Sequence, residues 1–325
     1  MRDNFGRQHD YLRISLTEKC NLRCTYCMPE NGVPLTPKEA LMTESEIFQI
    51  ARIFTRLGVD KIRLTGGEPL VRKDAAEIML GLSVLPVKLS ITTNGILIDR
   101  FLDTFKKAGI NSLNLSLDTL NKERFLQITK RDEFDTVLNN IDLLLRGGFH
   151  VKINVVVQKG VNEGEIFDFI EWTKKEDVHV RFIEFMPFDG NSWSKNYVFS
   201  YRDILEKVKA VHSVEKLNDK PHATSKAFRV KGYKGTFAVI SSMTENFCAS
   251  CNRLRLTANG KMKNCLFSKG EADLLTPHRN GVNIEPIIRQ CILKKKAVHG
   301  GIVNIQHLSD ADKEIKNRSM ILIGG

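Results

Sequence analysis

Cys20, Cys24 and Cys27 form a CxxxCxxC set, and no fourth Cys or His lies in the same loop. Three thiolates from one loop can hold three corners of a cubane iron-sulfur cluster and leave one iron open. An open iron can chelate a small molecule through an amine and a carboxylate, and a reducible cluster can pass that molecule one electron. The protein's task is then positioning. A zinc knot needs four tightly arranged ligands, which this loop does not supply. Cys248, Cys251 and Cys265 make a second set of three. Alone it also suits zinc, with His278, His299 or Cys291 as a fourth ligand. Beside the first set, a second cluster with a spare iron for substrate is the better reading. The cysteines number seven, and six fall into these two groups rather than spreading as disulfide pairs would, which points to metal or redox chemistry in a reducing compartment. Cys291 shares an apolar helix face with Ile287, Ile288 and Leu293 and reads as a buried free thiol.

Arg253 and Arg255 alternate with Leu254 and Leu256, so in a strand both guanidiniums project to one face. Such forks suit phosphate oxygens, and an anionic substrate beside the second cluster is expected. In Thr65-Gly66-Gly67-Glu68-Pro69, directly after a strand, the glycines let backbone approach a ligand closely. Lys152 sits between Val151 and Ile153. In a buried parallel strand an inward lysine requires an anion partner.

These residues need a frame. Strands are predicted over 11–16, 61–65, 88–92, 112–117, 151–157 and 180–185. Amphipathic helices lie between them, over 43–57 with a Thr43/Glu46 capping box, over 99–107 and over 134–146. Strand and helix in alternation imply a parallel sheet, either doubly wound or a full or partial (β/α) barrel, with functional groups at the C-terminal strand ends. After about residue 189 the rhythm changes. Residues 227–230 and 236–240 suggest an antiparallel hairpin, and 284–296 one helix, so a boundary is expected near 187–225. The stretch 199–224 carries no recognisable motif. Neither a fixed-period repeat nor a low-complexity segment is visible.

The chain has 325 residues, 42% hydrophobic, enough for one large or two modest domains. Its formal charge of +11 suits a phosphate-rich partner, whether nucleic acid, membrane surface or nucleotide. No stretch approaches a membrane span, and the first residues resemble neither a secretion signal nor a presequence. A cytoplasmic location is the expectation, with the mitochondrial matrix only for a eukaryotic chain. A zinc-binding nucleic-acid module would want aromatic RNP-type runs, finger spacings or tandem basic helices, and these are missing.

CNLRCTYC in this position, followed by TGGEP, resembles the signature of the radical S-adenosylmethionine superfamily. Together with KIRLTGGEPLVR, TTNG, NLSLD, KINVVVQKG, RFIEFMPFDGN, SSMTENFCASCNRLRLTANGKMKNCLFS and the closing ILIGG, it is similar to the GTP 3',8-cyclase family of molybdenum cofactor biosynthesis. The resemblance implies an α/β fold, an incomplete (β/α)6 TIM-type barrel over residues 1–188, and a smaller C-terminal part over 189–325 with a second iron-sulfur cluster. It implies two [4Fe-4S] clusters, one on Cys20, Cys24 and Cys27 and one on Cys248, Cys251 and Cys265. The first cleaves S-adenosylmethionine reductively to a 5'-deoxyadenosyl radical, and the second binds the guanine of GTP. Hydrogen leaves C3' of GTP, a C3'–C8 bond forms, and 3',8-cyclo-7,8-dihydroguanosine triphosphate results.

By matching motif, Tyr26, Gly67, Ser116 and Met186 line the S-adenosylmethionine site. Arg13, Arg63, Thr92, Lys152, Arg253, Leu254 and Arg255 contact GTP. The catalytic set adds Gly324 and Gly325, a slim tail reaching the active site. The family likeness further implies an external one-electron reductant, a homodimer, and transfer of product to cyclic pyranopterin monophosphate synthase, with neither nucleic acid nor membrane as partner. A peptide maturase with an auxiliary cluster is the nearest rival, but no peptide-binding module is visible.

Overall fold

A computed structural model describes residues 1–28, 32–302 and 318–324. Six strands come first: β1 (Tyr11–Ser15), β2 (Lys61–Thr65), β3 (Lys88–Thr93), β4 (Ser112–Ser116), β5 (His150–Val157) and β6 (His179–Glu184). Helices carry the chain back between them. These are α1 (Glu44–Arg56), α2 (Ala75–Ser83), α3 (Leu102–Lys107), the pair α4 (Lys122–Thr129) and α5 (Phe134–Arg146), and α6 (Ile166–Lys175). All neighbours from β1 to β6 are parallel.

The local reasons are legible. Thr43 caps α1 through its side chain, and Glu46 returns a bond to the Thr43 N–H, closing the capping box. The buried face of α1 is Ile47, Ile50, Ala51 and Phe54, at helical spacing. The strands agree with the predicted spans to within about a residue at each end. The helix expected over 99–107 is shorter, since Ile98–Arg100 forms a 3-10 turn before α3.

The C-terminal half adds α7 (Tyr201–Lys209), then β7 (Val214–Lys216), β8 (Lys226–Val230), β9 (Thr236–Ile240), β10 (Arg253–Leu256), β11 (Lys261–Lys263) and β12 (Ala272–Asp273). Helices α8 (Leu275–Arg279), α9 (Glu285–Leu293) and α10 (Met320–Ile323) follow. The expected hairpin is β8 and β9, antiparallel. Its second strand also pairs in parallel with β6, and β10 pairs in parallel with β1. One sheet results, in the order β12-β11-β10-β1-β2-β3-β4-β5-β6-β9-β8-β7, so the C-terminal strands extend both ends of the six-stranded arc. The arc does not close on itself, and the barrel is incomplete.

Alternation gives the sheet two unlike faces. Leu12, Ile14, Ile62, Leu64, Ile91, Leu113, Leu115 and Ile153 point outward into the main hydrophobic core. The inner face carries Arg13, Arg63, Ser90, Asn114 and Arg181, all but Arg13 buried. A barrel interior is ordinarily filled with branched apolar side chains. This one is a polar well. Buried Glu184 at the end of β6 accepts from the Tyr201, Met243 and Thr244 N–H groups at 2.8, 2.7 and 3.0 Å, which ties α7 and the loop after β9 to the arc. No helix among the described residues is long and apolar enough to cross a membrane.

Candidate active site

One cavity opens on the inner face, and strands from β1 to β6 together with β9 and β10 reach it. Both cysteine sets line it. The first lies on the loop after β1, pinned by Arg23 N–H to the Thr129 carbonyl at 2.9 Å and Thr25 N–H to the Ile128 carbonyl at 3.0 Å, at the end of α4. Burial pushes the Cys20 thiol up to about 11 and, with the neighbouring Cys20, the Cys27 thiol up to about 12. Burial also raises the Cys24 thiol strongly, helped by Asp118 and the other two cysteines. Burial thus favours the neutral thiols, and bringing all three to the thiolate form would need a cationic centre to neutralise them.

The turn after β2 packs directly on this loop. A Cβ at Gly66 would come within 2.7 Å of the Thr17 carbonyl oxygen, and one at Gly67 within 2.6 Å of the Lys19 carbonyl oxygen. The glycines therefore serve chain-to-chain contact as well as any ligand. Glu68, fully buried, accepts from Leu70 N–H, Thr93 Oγ1 and Asn94 N–H at 3.0, 2.8 and 2.7 Å; burial lifts its carboxyl to about 7 despite them. That network locks the ends of β2 and β3. On the other side Asp118 accepts from Val156 N–H at 2.8 Å and bonds the Tyr26 hydroxyl, with its own carboxyl raised by burial to about 6.

The second set begins in a 3-10 turn, Cys248–Ser250. Arg7, paired with Asp3, donates to the Cys248 carbonyl at 2.9 Å. The His299 N–H lies 3.4 Å from Cys248 Sγ, and Lys295 Nζ lies 3.7 Å from Cys251 Sγ. Burial alone would raise the Cys251 thiol, but Lys295 and Arg253 outweigh it and hold the thiol below its usual value. Among the described residues, no three His, Cys, Asp or Glu side chains are grouped so as to hold a single metal ion. Each set nonetheless offers three thiols to one cavity, a donor set that fits a cluster with an open iron; His299 also lines it, with its ring Nε2 engaged at 3.0 Å to the Ser242 carbonyl.

Beneath the cysteines lies a cationic floor. Arg13, Lys61, Arg63 and Arg253 surround the buried Tyr11 ring at 4.8 to 5.8 Å from its centroid. Burial would raise the Tyr11 phenol, but Arg63, Arg13, Lys61 and Arg253 bring it down to about 7. Burial, followed by Arg181 and Arg63, lowers Lys152 to about 7. Such crowding of like charges calls for an anion.

Tyr26, Gly67, Thr92, Ser116, Met186, Arg13, Arg63, Arg253 and Arg255 all line the cavity. Lys152 is on the inner face of β5 but lies below the cavity lining, donating to Ser112 Oγ at 3.1 Å. The Leu254 side chain packs in the hydrophobic core on the opposite face, which leaves only its backbone for a ligand. Gly324 reaches the site: its carbonyl accepts from Arg255 Nη1 at 2.7 Å, and a Cβ there would lie 2.6 Å from Ser15 Cβ. Gly325 lies outside the described residues. Cys291 is buried on α9, away from the cavity lining.

Sequence reasoning does not single out Arg181, yet this buried guanidinium lines the cavity, bonded to Asn114 Oδ1, while its Nε has no hydrogen-bond partner among the described residues. The signal was alternation along β6, which puts Arg181 and Ile183 on the inner face. Thr224, from the stretch without a motif, also lines the cavity and is bonded by Arg253 Nη2 at 3.1 Å.

The Radical SAM superfamily profile matches residues 14–173, and the Molybdenum Cofactor Synthesis C profile matches residues 178–300. GTP 3',8-cyclase, mitochondrial, of Arabidopsis thaliana is 48% identical over 330 residues, covering 99% of this chain and 83% of the relative. Molybdenum cofactor biosynthesis protein 1 of Mus musculus is 46% identical over 331 residues, covering 100% of this chain and 51% of the relative. The chain thus spans about half the length of several curated relatives it matches. Among solved structures, Streptococcus suis SuiB bound to S-adenosylmethionine has a TM-score of 0.63 at 15% identity, covering 97% of this chain and 77% of that one, a likeness of fold alone. A partial parallel barrel with a CxxxCxxC loop after its first strand is the radical S-adenosylmethionine class, which joins an iron-sulfur cluster to that cosubstrate. Within it, the chain belongs to the GTP 3',8-cyclase family.

Proposed function

We propose that this chain is a GTP 3',8-cyclase of molybdenum cofactor biosynthesis, built on two [4Fe-4S] clusters, one held by Cys20, Cys24 and Cys27 and the other by Cys248, Cys251 and Cys265. The observation that carries the reading is the opening of both thiol sets onto a single cavity with a cationic floor. When bound, the first cluster supplies the electron that cleaves S-adenosylmethionine, and so the radical that takes the 3'-hydrogen of GTP.

The chain's own residues position and shield. Tyr26, Gly67, Ser116 and Met186, on the loops and strand ends around the first set, hold the cosubstrate. Arg13, Arg63, Lys152, Arg253 and Arg255, joined by Arg181, hold the triphosphate, where guanidinium forks match its oxygens. Thr92 supplies a hydroxyl and Leu254 a backbone group. The Gly324 carbonyl, fixed by Arg255, closes the site around the nucleotide. The cavity thereby keeps a reactive carbon away from water.

Residues 1–188 serve as the cleaving unit and 189–325 carry the second cluster, with substrate-binding residues contributed by both. An external one-electron reductant is required. The chain works as a homodimer in the cytoplasm and passes its product to cyclic pyranopterin monophosphate synthase. Anaerobic incubation of reconstituted protein with GTP, S-adenosylmethionine and dithionite tests this: a nucleotide triphosphate cyclised between C3' and C8 is expected. Cosubstrate cleavage with every purine triphosphate left intact would overturn it.

A further inference from the structure

Lys294, Lys295 and Lys296 follow α9 in a run whose ordinary state is a solvated charged surface. Lys294 and Lys296 are exposed, whereas Lys295 is only 4% exposed. The Lys295 N–H donates to the Ile292 carbonyl at 3.0 Å, so the end of α9 fixes where the side chain starts. Its ammonium reaches the Arg253 carbonyl at 3.0 Å and Cys251 Sγ at 3.7 Å. Among the described residues no carboxylate forms an ion pair with it. An ammonium withdrawn from water is costly unless a negative group answers it. Here the answering group is the sulfur of Cys251, which carries negative charge as a thiolate or as a cluster ligand.

The first cysteine set is served differently. Cys20 Sγ accepts from the Leu22 N–H at 3.4 Å and lies 3.9 Å from Asn94 Nδ2, both neutral donors. Hydrogen bonds to sulfur tune the reduction potential of an iron-sulfur cluster, and a charged donor stabilises the more negative, reduced form more strongly than a neutral one.

We propose that Lys295 is a positioning residue for the second cluster: its ammonium donates to the Cys251 ligand sulfur and raises that cluster's reduction potential while leaving the first cluster unchanged. The inference rests on the two-cluster reading above. The test is redox titration of full-length protein followed by electron paramagnetic resonance. The second cluster is isolated by the Cys20→Ala, Cys24→Ala and Cys27→Ala substitutions, alone or combined with Lys295→Met or Lys295→Arg. The midpoint of the second cluster should move to more negative potential in Lys295→Met and return most of the way in Lys295→Arg. With the first set intact, S-adenosylmethionine cleavage should stay at the wild-type rate in both Lys295 variants. Loss of the second cluster in Lys295→Met with its recovery in Lys295→Arg also supports a role for the charge. An unshifted midpoint in Lys295→Met, or loss of the second cluster in both variants, overturns the role of Lys295 alone. Absence of a second cluster from protein with a native Lys295 overturns both this role and the reading it rests on.

Discussion

Arg255 donates to the Gly324 carbonyl from the strand face that also carries Arg253, so the tail of the chain and the residues after the second cysteine pair meet at one guanidinium. Arg181 stands deeper, and burial with its cationic neighbours, Arg63 first among them, lowers it to about 9. A group held at that disadvantage in the free protein gains most from an incoming polyphosphate. Arg181→Met should therefore weaken GTP binding by about tenfold to a hundredfold, the worth of a hydrogen bond to a charged group. Guanosine, lacking the phosphates, should bind the variant and the native protein alike, and equilibrium binding of both ligands checks it. Cys291 marks the opposite case. Its sulfur faces the Met262 carbonyl at 3.9 Å in the core, so Cys291→Ala should leave iron and sulfide content and cosubstrate cleavage unchanged.

At the scale of elements, two local devices hold the site's frame. The Thr43 capping box starts α1, whose buried face supports the arc, and Thr43→Ala should cost about 1 kcal/mol in a urea unfolding curve. The turn after β2 is less forgiving. In Gly66→Ala the new Cβ meets the backbone of Thr17 rather than a flexible side chain, so about 1–3 kcal/mol should be lost, with looser binding of the first cluster. An iron assay on gel-filtered protein reads the second effect.

The strands that frame these devices were legible because apolar residues alternate with polar ones along them and helix signals bound them, as in Lys61–Thr65 after Gly58. The joining of β10 to β1 was not. Tyr11 and Arg253 are register partners far apart in sequence, and pairing at that distance leaves no local pattern. The site divides in the same way. Cysteine spacing and the glycine turn announce themselves, and the resemblance carried the arginines it quoted. Alternation between Val180 and Phe182 could assign Arg181 to the inner face but not to the cavity, and Thr224 had no local signal; both become site residues only once the arc curls.

At the scale of the molecule, the formal charge of +11 has an interior component, a cluster of cations around Tyr11 and Lys152 on the inner face of the sheet. Histidines add a pH dependence. Burial, with the charge of Lys295, lowers His9 to about 4, and burial with the charges of Arg181 and Lys152 lowers His179 to about 3. In the unfolded chain both protonate near 6.5, so between those values the unfolded state binds more protons. The part of the stability owed to these two histidines should be lost as pH drops from about 6.5 to about 3, while the carboxyls of Glu68 and Asp118, raised by burial to about 7 and 6, act in the opposite sense over that range. Urea midpoints of wild type and His179→Gln at several acidic pH values read the histidine part, which should shrink in the variant.

Two cysteine sets on one cavity divide the labour, and wild type compared with Cys24→Ala and Cys265→Ala tests that division. Iron and sulfide content, S-adenosylmethionine cleavage and cyclised nucleotide would be assayed side by side without oxygen. Wild type should carry two clusters and make product. Cys24→Ala should lose cleavage, while Cys265→Ala should keep cleavage and yield no cyclised nucleotide. Full turnover in either variant, or one cluster in fully active wild type, would contradict a two-cluster division of labour.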